Sequence, residues 1–283
     1  MCAPASGDEE PRTSSCLSET GTIFKLAWPQ TITGLTGFAP RLLLLAAVGH
    51  LEDGAVLIGA AGIGSMYSNF AHLMLIKSTT FGTGPLFSQA FGAGNHHRIG
   101  LVLMRVLLLH AIMVLVLSLP LTALAGPMLA TFGQPTSVAA HAQTFVWIRL
   151  LGLPGVISMV DVSAFLNAQR CVRLPMLVTI IGSLVQVGLV FGLTNRLGFV
   201  GAPLAMTLVE LLQGGLIFAA APWLLHARKL RSWPLWRREG RQALRGWAEI
   251  VSKGLPAAVM IMSEWFGWEC TRELRPIELR ISI

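Results

Sequence analysis

Charged side chains are scarce in this chain: Lys, Arg, Asp and Glu make up 12% of 283 residues, against 53% hydrophobic ones. About a quarter of an ordinary soluble domain is charged, so that class is excluded. Cysteine is scarce as well. Cys2, Cys16, Cys171 and Cys270 fall at no spacing that would frame a disulfide scaffold or a zinc site. His96-His97 has no spaced metal-binding partner, the glycine-rich runs miss the phosphate-loop pattern, and no catalytic constellation emerges. Neither an enzyme nor a cofactor is expected. No Asn-x-Ser/Thr acceptor occurs.

What the chain does have is long apolar runs. Seven stand out, near 27–49, 55–80, 99–125, 142–168, 174–195, 199–225 and 247–271. Each meets the requirement of about 20 residues for a helix crossing a hydrocarbon layer of about 30 Å. Helices are the expected element because lipid-facing backbone must satisfy its hydrogen bonds within its own segment. The fold class is therefore an all-α polytopic membrane protein: a six-helix transmembrane lobe plus a partial or complete seventh helix. Residues 1–22, mixed in Pro, Ser, Gly and acids, read as a disordered cytosolic tail and lack the order of a cleaved signal.

The net charge of +7 does not point to nucleic acid. The turns after the second, fourth and sixth spans hold 10 cationic residues, among them Arg98, Arg170, Arg173 and Arg228, whereas the alternate turns hold only Arg196. The positive-inside rule then puts the N-terminus and the basic turns in the cytosol. A seven-span receptor, with its N-terminus outside, is disfavoured. The basic sixth turn reads equally as a plain cytosolic loop and as a contact for anionic membrane lipids.

Six spans, residues 23–225, are followed by a basic linker, 226–246, with a surface amphipathic character. A seventh span, 247–271, and a charged tail, 272–283, complete the division. Lys25-Leu-Ala-Trp-Pro29 opens span one and Lys253-Gly-Leu-Pro256 opens span seven, each a cation ahead of an early helical proline. That echo suggests a repeat of six spans with the second unit only begun. Most glycines read as close-packing positions. Phe81-Gly-Thr-Gly-Pro85 is expected to weaken or bend its helix.

Ionisable groups inside the spans cost about 2.5–3.5 kcal/mol each on insertion scales, so they need partners or a function. Lys77, Asp161 and Glu210 are such groups. Asp161 lies roughly 13 Å inward from Arg170 at 1.5 Å per residue. A Lys77 pair with Asp161 or Glu210 would offset the burial of both, as a structural ion pair or as part of a cavity. His110 and Arg105 are less informative, because a histidine can bond a carbonyl and an arginine can snorkel. Glu264 and Glu269 in the seventh span are separated by about 140° around the helix, so they face different points. The deeper, Glu264, suits a water-filled cavity, where burial would raise its carboxyl toward neutrality and let it hold a proton or an organic cation. Trp265, Phe266 and Trp268 suit either cation contact or interface anchoring.

Val48-Gly-His-Leu51, Ser88-Gln-Ala-Phe-Gly-Ala93 with His97, Gly100 and Arg105, Phe165-Leu-Asn-Ala-Gln169 with Val172 and Pro175, Leu197-Gly-Phe-Val-Gly-Ala-Pro-Leu-Ala205, and Trp247, Pro256, Glu264 and Glu269 occur in that order. The ordered set resembles the multidrug and toxic compound extrusion (MATE) family, especially its eukaryotic branch, over about residues 23–270. Gln89, Gly92, Arg105, Gln169, Pro175 and Pro256 are the signature positions of structural kind. The resemblance implies a proton-coupled exporter of small organic cations or other amphipathic xenobiotics, driven by a proton gradient in the plasma or vacuolar membrane. It also implies two six-helix lobes facing each other in a V, with Glu264 as the proton and substrate acid. Lys77, Asp161, Glu210 and Pro85 depart from the family pattern, and Gln169 to Pro175 is one residue longer than its usual turn. The expected second lobe is only begun. The alternative is therefore a truncated, non-transporting interaction module, or a half-transporter needing a second lobe or a second copy.

Overall fold

The computed structural model describes the backbone of residues 16–36, 39–230, 232–234 and 242–281, and within these the side chains of all but 16–19, 22, 26, 39–41, 265–266 and 268–281. Every regular element among them is helical. The first apolar stretch becomes α1 (Cys16–Thr36) and α2 (Ala39–Gly49). α3 (Gly54–Ser68) continues through a π-helical segment, Asn69–Met74, into α4 (Leu75–Gly92). α5 (His96–Met113) continues through a second one, Val114–Ser118, into α6 (Leu119–Thr131). α7 (Thr136–Leu151) and α8 (Leu153–Ala168) meet at Gly152 with a bend of 52°. α9 (Arg173–Leu197), α10 (Gly201–Ala227) and α11 (Trp247–Ile281) follow.

His96–Thr131 and Arg173–Ala227 are long and apolar enough to cross a membrane, and α7 with α8 adds a third such unit if the bent pair is one span. The Arg173–Ala227 run folds back on itself. Gly198, at φ 62° and ψ −143°, turns the chain so that α9 and α10 pack antiparallel. A side chain on Gly201 would strike Leu193 backbone, and one on Gly182 would strike Gln213. At the turn between α4 and α5, Gly94 takes φ 67° and the Asn95 side chain caps α5 by accepting the Arg98 N–H at 2.9 Å.

Several sequence expectations are corrected in detail. Helix begins at Cys16, within the expected disordered tail, while residues 1–15 lie outside the described ones. α11 runs on to Ile281 through the expected charged tail, because charge excludes burial in lipid but not helix. α4 runs unbroken through Gly82, Gly84 and Pro85, the run expected to weaken or bend it. Gly82 instead permits contact: its Cβ would sit 2.5 Å from Ala257 Cβ and 2.7 Å from the Lys253 carbonyl of α11. Pro29 and Pro256 stand in helix interiors rather than at helix starts.

The turns alternate between two ends. At one, Phe87, Ile99, Leu103, Phe165, Leu166, Ile217, Leu225 and Ile250 form the largest core cluster. This is the basic end. At the other, Leu44, Val48, Leu57, Phe145 and Phe199 pack together. Between them α8 crosses α10 backbone to backbone, since a Cβ on Gly155 or Gly214 would collide with the facing main chain.

Candidate functional site

Asp161 is fully buried on α8, where an isolated carboxylate would cost several kcal/mol even after relaxation. It is compensated from two other helices. Thr80 of α4 donates its hydroxyl to Oδ1 at 2.6 Å, and His110 of α5, also fully buried, faces Oδ2 through Nδ1 at 2.8 Å. Thr80 is within reach of the Ile76 carbonyl as well, at 3.0 Å, but its one hydrogen is better spent on the carboxylate. Nε2 of His110 is buried and meets no hydrogen-bond partner among the described residues.

Glu210 of α10 is held differently. Arg149, at the end of α7 and almost fully buried, forks onto it with Nη1 to Oε2 and Nη2 to Oε1, both at 2.6 Å. This bidentate geometry is the strongest form of the Arg–carboxylate contact. Gly152 leaves the room, because a Cβ there would lie 2.6 Å from Glu210 Oε2. The bend between α7 and α8 thus sits beside the pair.

These contacts correct the expected network. The ion-pair partners of Asp161 and Glu210 are His110 and Arg149, and Lys77 lies exposed on α4. Arg149 was detectable by the test applied to Asp161, since it is a charge inside the apolar stretch 142–168. Thr80 gave no charge signal, only a hydroxyl in the run Ser78-Thr79-Thr80.

Further polar contacts link the two π-helical segments. Ser118 Oγ donates to the Ala71 carbonyl at 3.0 Å, and Thr122 donates to Ser118 O at 2.8 Å while meeting His72 Nε2 at 2.7 Å. Gln143 of α7 reaches Thr122 O at 2.6 Å and accepts the Gly126 N–H. A π turn leaves carbonyls without their usual helical partners, and side chains supply them here.

α11 covers α4 with a narrow stripe in which Ile250, Gly254 and Ala258 are buried. Leu255, Val259 and Met260 are exposed, and so is Glu264. The side chains of Glu269, Trp265, Phe266 and Trp268 lie outside the described residues. Among the described residues Glu264 is thus not brought together with Asp161 or Glu210, which are held by His110 and Arg149.

The signature positions gather mainly at the basic end. Gln169, buried, accepts from Ser232 Oγ at 2.6 Å and donates to Phe165 O at 3.1 Å. Trp233 stacks edge-on against Phe165 and Phe218. Arg105 reaches Gln242 O at 3.4 Å, and Arg98 pairs with Glu249 of α11 at 2.5 Å. The described part of the linker is therefore clasped to the bundle, whereas the sequence suggested a surface segment; residues 231 and 235–241 lie outside the description. Gln89 and Gly92 are exposed at the end of α4, Pro175 is buried in α9, and Pro256 is exposed. Among the described residues no group of His, Cys, Asp and Glu is placed to hold a metal ion.

Comparison with known proteins places this geometry. A family model described as MatE matches residues 32–191. Protein DETOXIFICATION 52 of Arabidopsis thaliana is 26% identical over 266 residues, covering 92% of this chain and 50% of that protein. Multidrug and toxin extrusion protein 2 of Oryctolagus cuniculus is 25% identical over 273 residues, covering 95% of this chain and 43% of that protein. Among solved structures, the eukaryotic MATE transporter AtDTX14 superposes with a TM-score of 0.78 at 20% identity, covering 90% of this chain and 56% of that one. The Vibrio cholerae MATE transporter VcmN in its bent form gives 0.73 at 22% identity, covering 91% and 57%. The structural likenesses carry the fold. This chain spans about half the length of the relatives it matches.

Proposed function

Since the chain belongs to the MatE family of membrane transport proteins, we propose that it forms the first lobe, and the opening helix of the second, of an exporter exchanging protons for small organic cations or other amphipathic xenobiotics. In this reading the lobe exports only when a second lobe or a second copy closes the other side of the cavity. The observation that carries the proposal is the exposure of Glu264 one turn after the exposed Met260 on α11, a helix on which Leu255 and Val259 are exposed as well. An acid and an apolar face left uncovered at membrane depth call for a facing surface. Proton and cation would be alternative occupants of the Glu264 carboxylate, with Glu269 as a second acid on the same helix. The basic end would face the cytosol, in a plasma or vacuolar membrane.

In liposomes with an imposed proton gradient, cross-linked pairs of the chain should accumulate tetraethylammonium, and Glu264→Gln should lower the uptake by roughly tenfold or more. Unchanged uptake by that variant would remove Glu264 from the mechanism. A second reading is a membrane interaction module without transport. It requires that no substrate-dependent proton movement occur in any oligomeric state.

A further inference from the structure

We propose that His110 and Asp161 form a proton-binding site inside the six-helix lobe, with Nε2 of His110 as the atom that takes up the proton. The site is independent of the acids on α11. It rests on three helices: His110 from α5, Asp161 from α8 and Thr80 from α4.

Both members of the pair are 0% exposed. An ionised carboxylate only accepts hydrogen bonds, so the hydrogen between the two residues belongs to His110 Nδ1 and is committed to Asp161 Oδ2, 2.8 Å away. Oδ1 is committed to the Thr80 hydroxyl at 2.6 Å. The free lone pair of the cluster is then on Nε2, the buried atom without a partner among the described residues. Neutral histidine beside ionised aspartate leaves one net negative charge in the core. Adding one proton at Nε2 gives imidazolium and carboxylate in contact, with no net charge. The Thr80 hydrogen bond is the other support of the carboxylate. No atom other than the incoming proton is gained or lost.

The surrounding charges do not replace this arrangement. Arg149 and Glu210, on α7 and α10, are joined to each other. His72, on the neighbouring π-helical segment, turns its Nε2 to Thr122. Arg105 on α5 reaches toward the linker, while Lys77 on α4 and Lys253 and Glu264 on α11 are exposed. The two π-helical segments flank the site, Val114–Ser118 beginning one turn after His110 and Asn69–Met74 ending within two turns of Thr80. Such segments give way more readily than regular helix and often accompany functional positions. A change of net charge between α4, α5 and α8 would thus act where the helices are already irregular.

The full chain, labelled with ¹⁵N-histidine and placed in lipid bilayers, can be titrated by solid-state NMR from pH 5 to 9. One histidine should keep Nδ1 protonated throughout while its Nε2 switches between protonated and bare. His110→Asn should remove that signal, and Asp161→Asn should abolish the doubly protonated form across the range. Thr80→Val keeps the shape and every titrating group, and serves as well if a variant of the pair fails to fold. By removing a donor to the carboxylate it should displace the pH of the switch without abolishing it. A His110 signal that stays constant over the range, or a switch unaltered in both Asp161→Asn and Thr80→Val, would overturn the proposal.

Discussion

Asp161, fully buried, and Glu210, half-buried, are stabilised by different chemistry, and their responses to mutation should differ accordingly. Glu210 depends on a full countercharge, so Arg149→Met leaves a carboxylate uncompensated and should cost about 3 kcal/mol. Thermal unfolding in detergent would register this as a clear drop in midpoint. Removing both charges, in Arg149→Met with Glu210→Met, should recover most of that loss, because a buried ion pair and an apolar pair of similar volume are nearly equivalent. An equally unstable double variant would show that the site matters for shape rather than charge. The depth of Asp161 and Glu210 was legible in the sequence, since a charge inside an apolar run is visible on its own. Their partners were not. Pairing depends on which helices are neighbours, and Lys77, the cation that seemed available, proved to lie on an exposed face of α4.

At the scale of helices, apolar length foretold where the elements lie but not where they deform. The bend at Gly152 and the π-helical segments at Asn69–Met74 and Val114–Ser118 leave no mark on hydropathy, because one extra residue in a turn changes neither length nor composition appreciably. Gly82, Gly84 and Pro85 read as a place where the helix weakens or bends, and the glycine at 82 serves the contact between α4 and α11. Space around each glycine separates the cases. Gly155→Leu should force α8 away from α10 and lower stability by about 1–3 kcal/mol or more, as in overpacked cores. Gly84, with nothing within 4 Å of a Cβ, is the control, and Gly84→Ala should be neutral or stabilising by up to about 1 kcal/mol. Equal losses in the two variants, measured by the same unfolding assay, would contradict backbone-to-backbone packing between α8 and α10.

For the whole molecule, charge asymmetry among the turns and the gathering of those turns at two ends agree, and together they predict a cytosolic N-terminus. In a Cys270→Ser background, a membrane-impermeant maleimide should label Cys2 and Cys16 only after cells are opened. Cys171 should stay silent at neutral pH, because burial pushes its thiol up and outweighs the opposing pull of Arg228. External labelling would invert the topology. The clasp of Gln169, Ser232, Trp233 and Arg105 escaped sequence reading because the linker looked merely basic, although several of its contacts fall on signature positions. The proposed exchange is tested most directly by proton release on cation binding. When tetraethylammonium is added to cross-linked pairs in weakly buffered solution, about one proton should be released per cation bound. Glu264→Gln should abolish that release; binding without proton release, or release undiminished in Glu264→Gln, would contradict the proposed exchange.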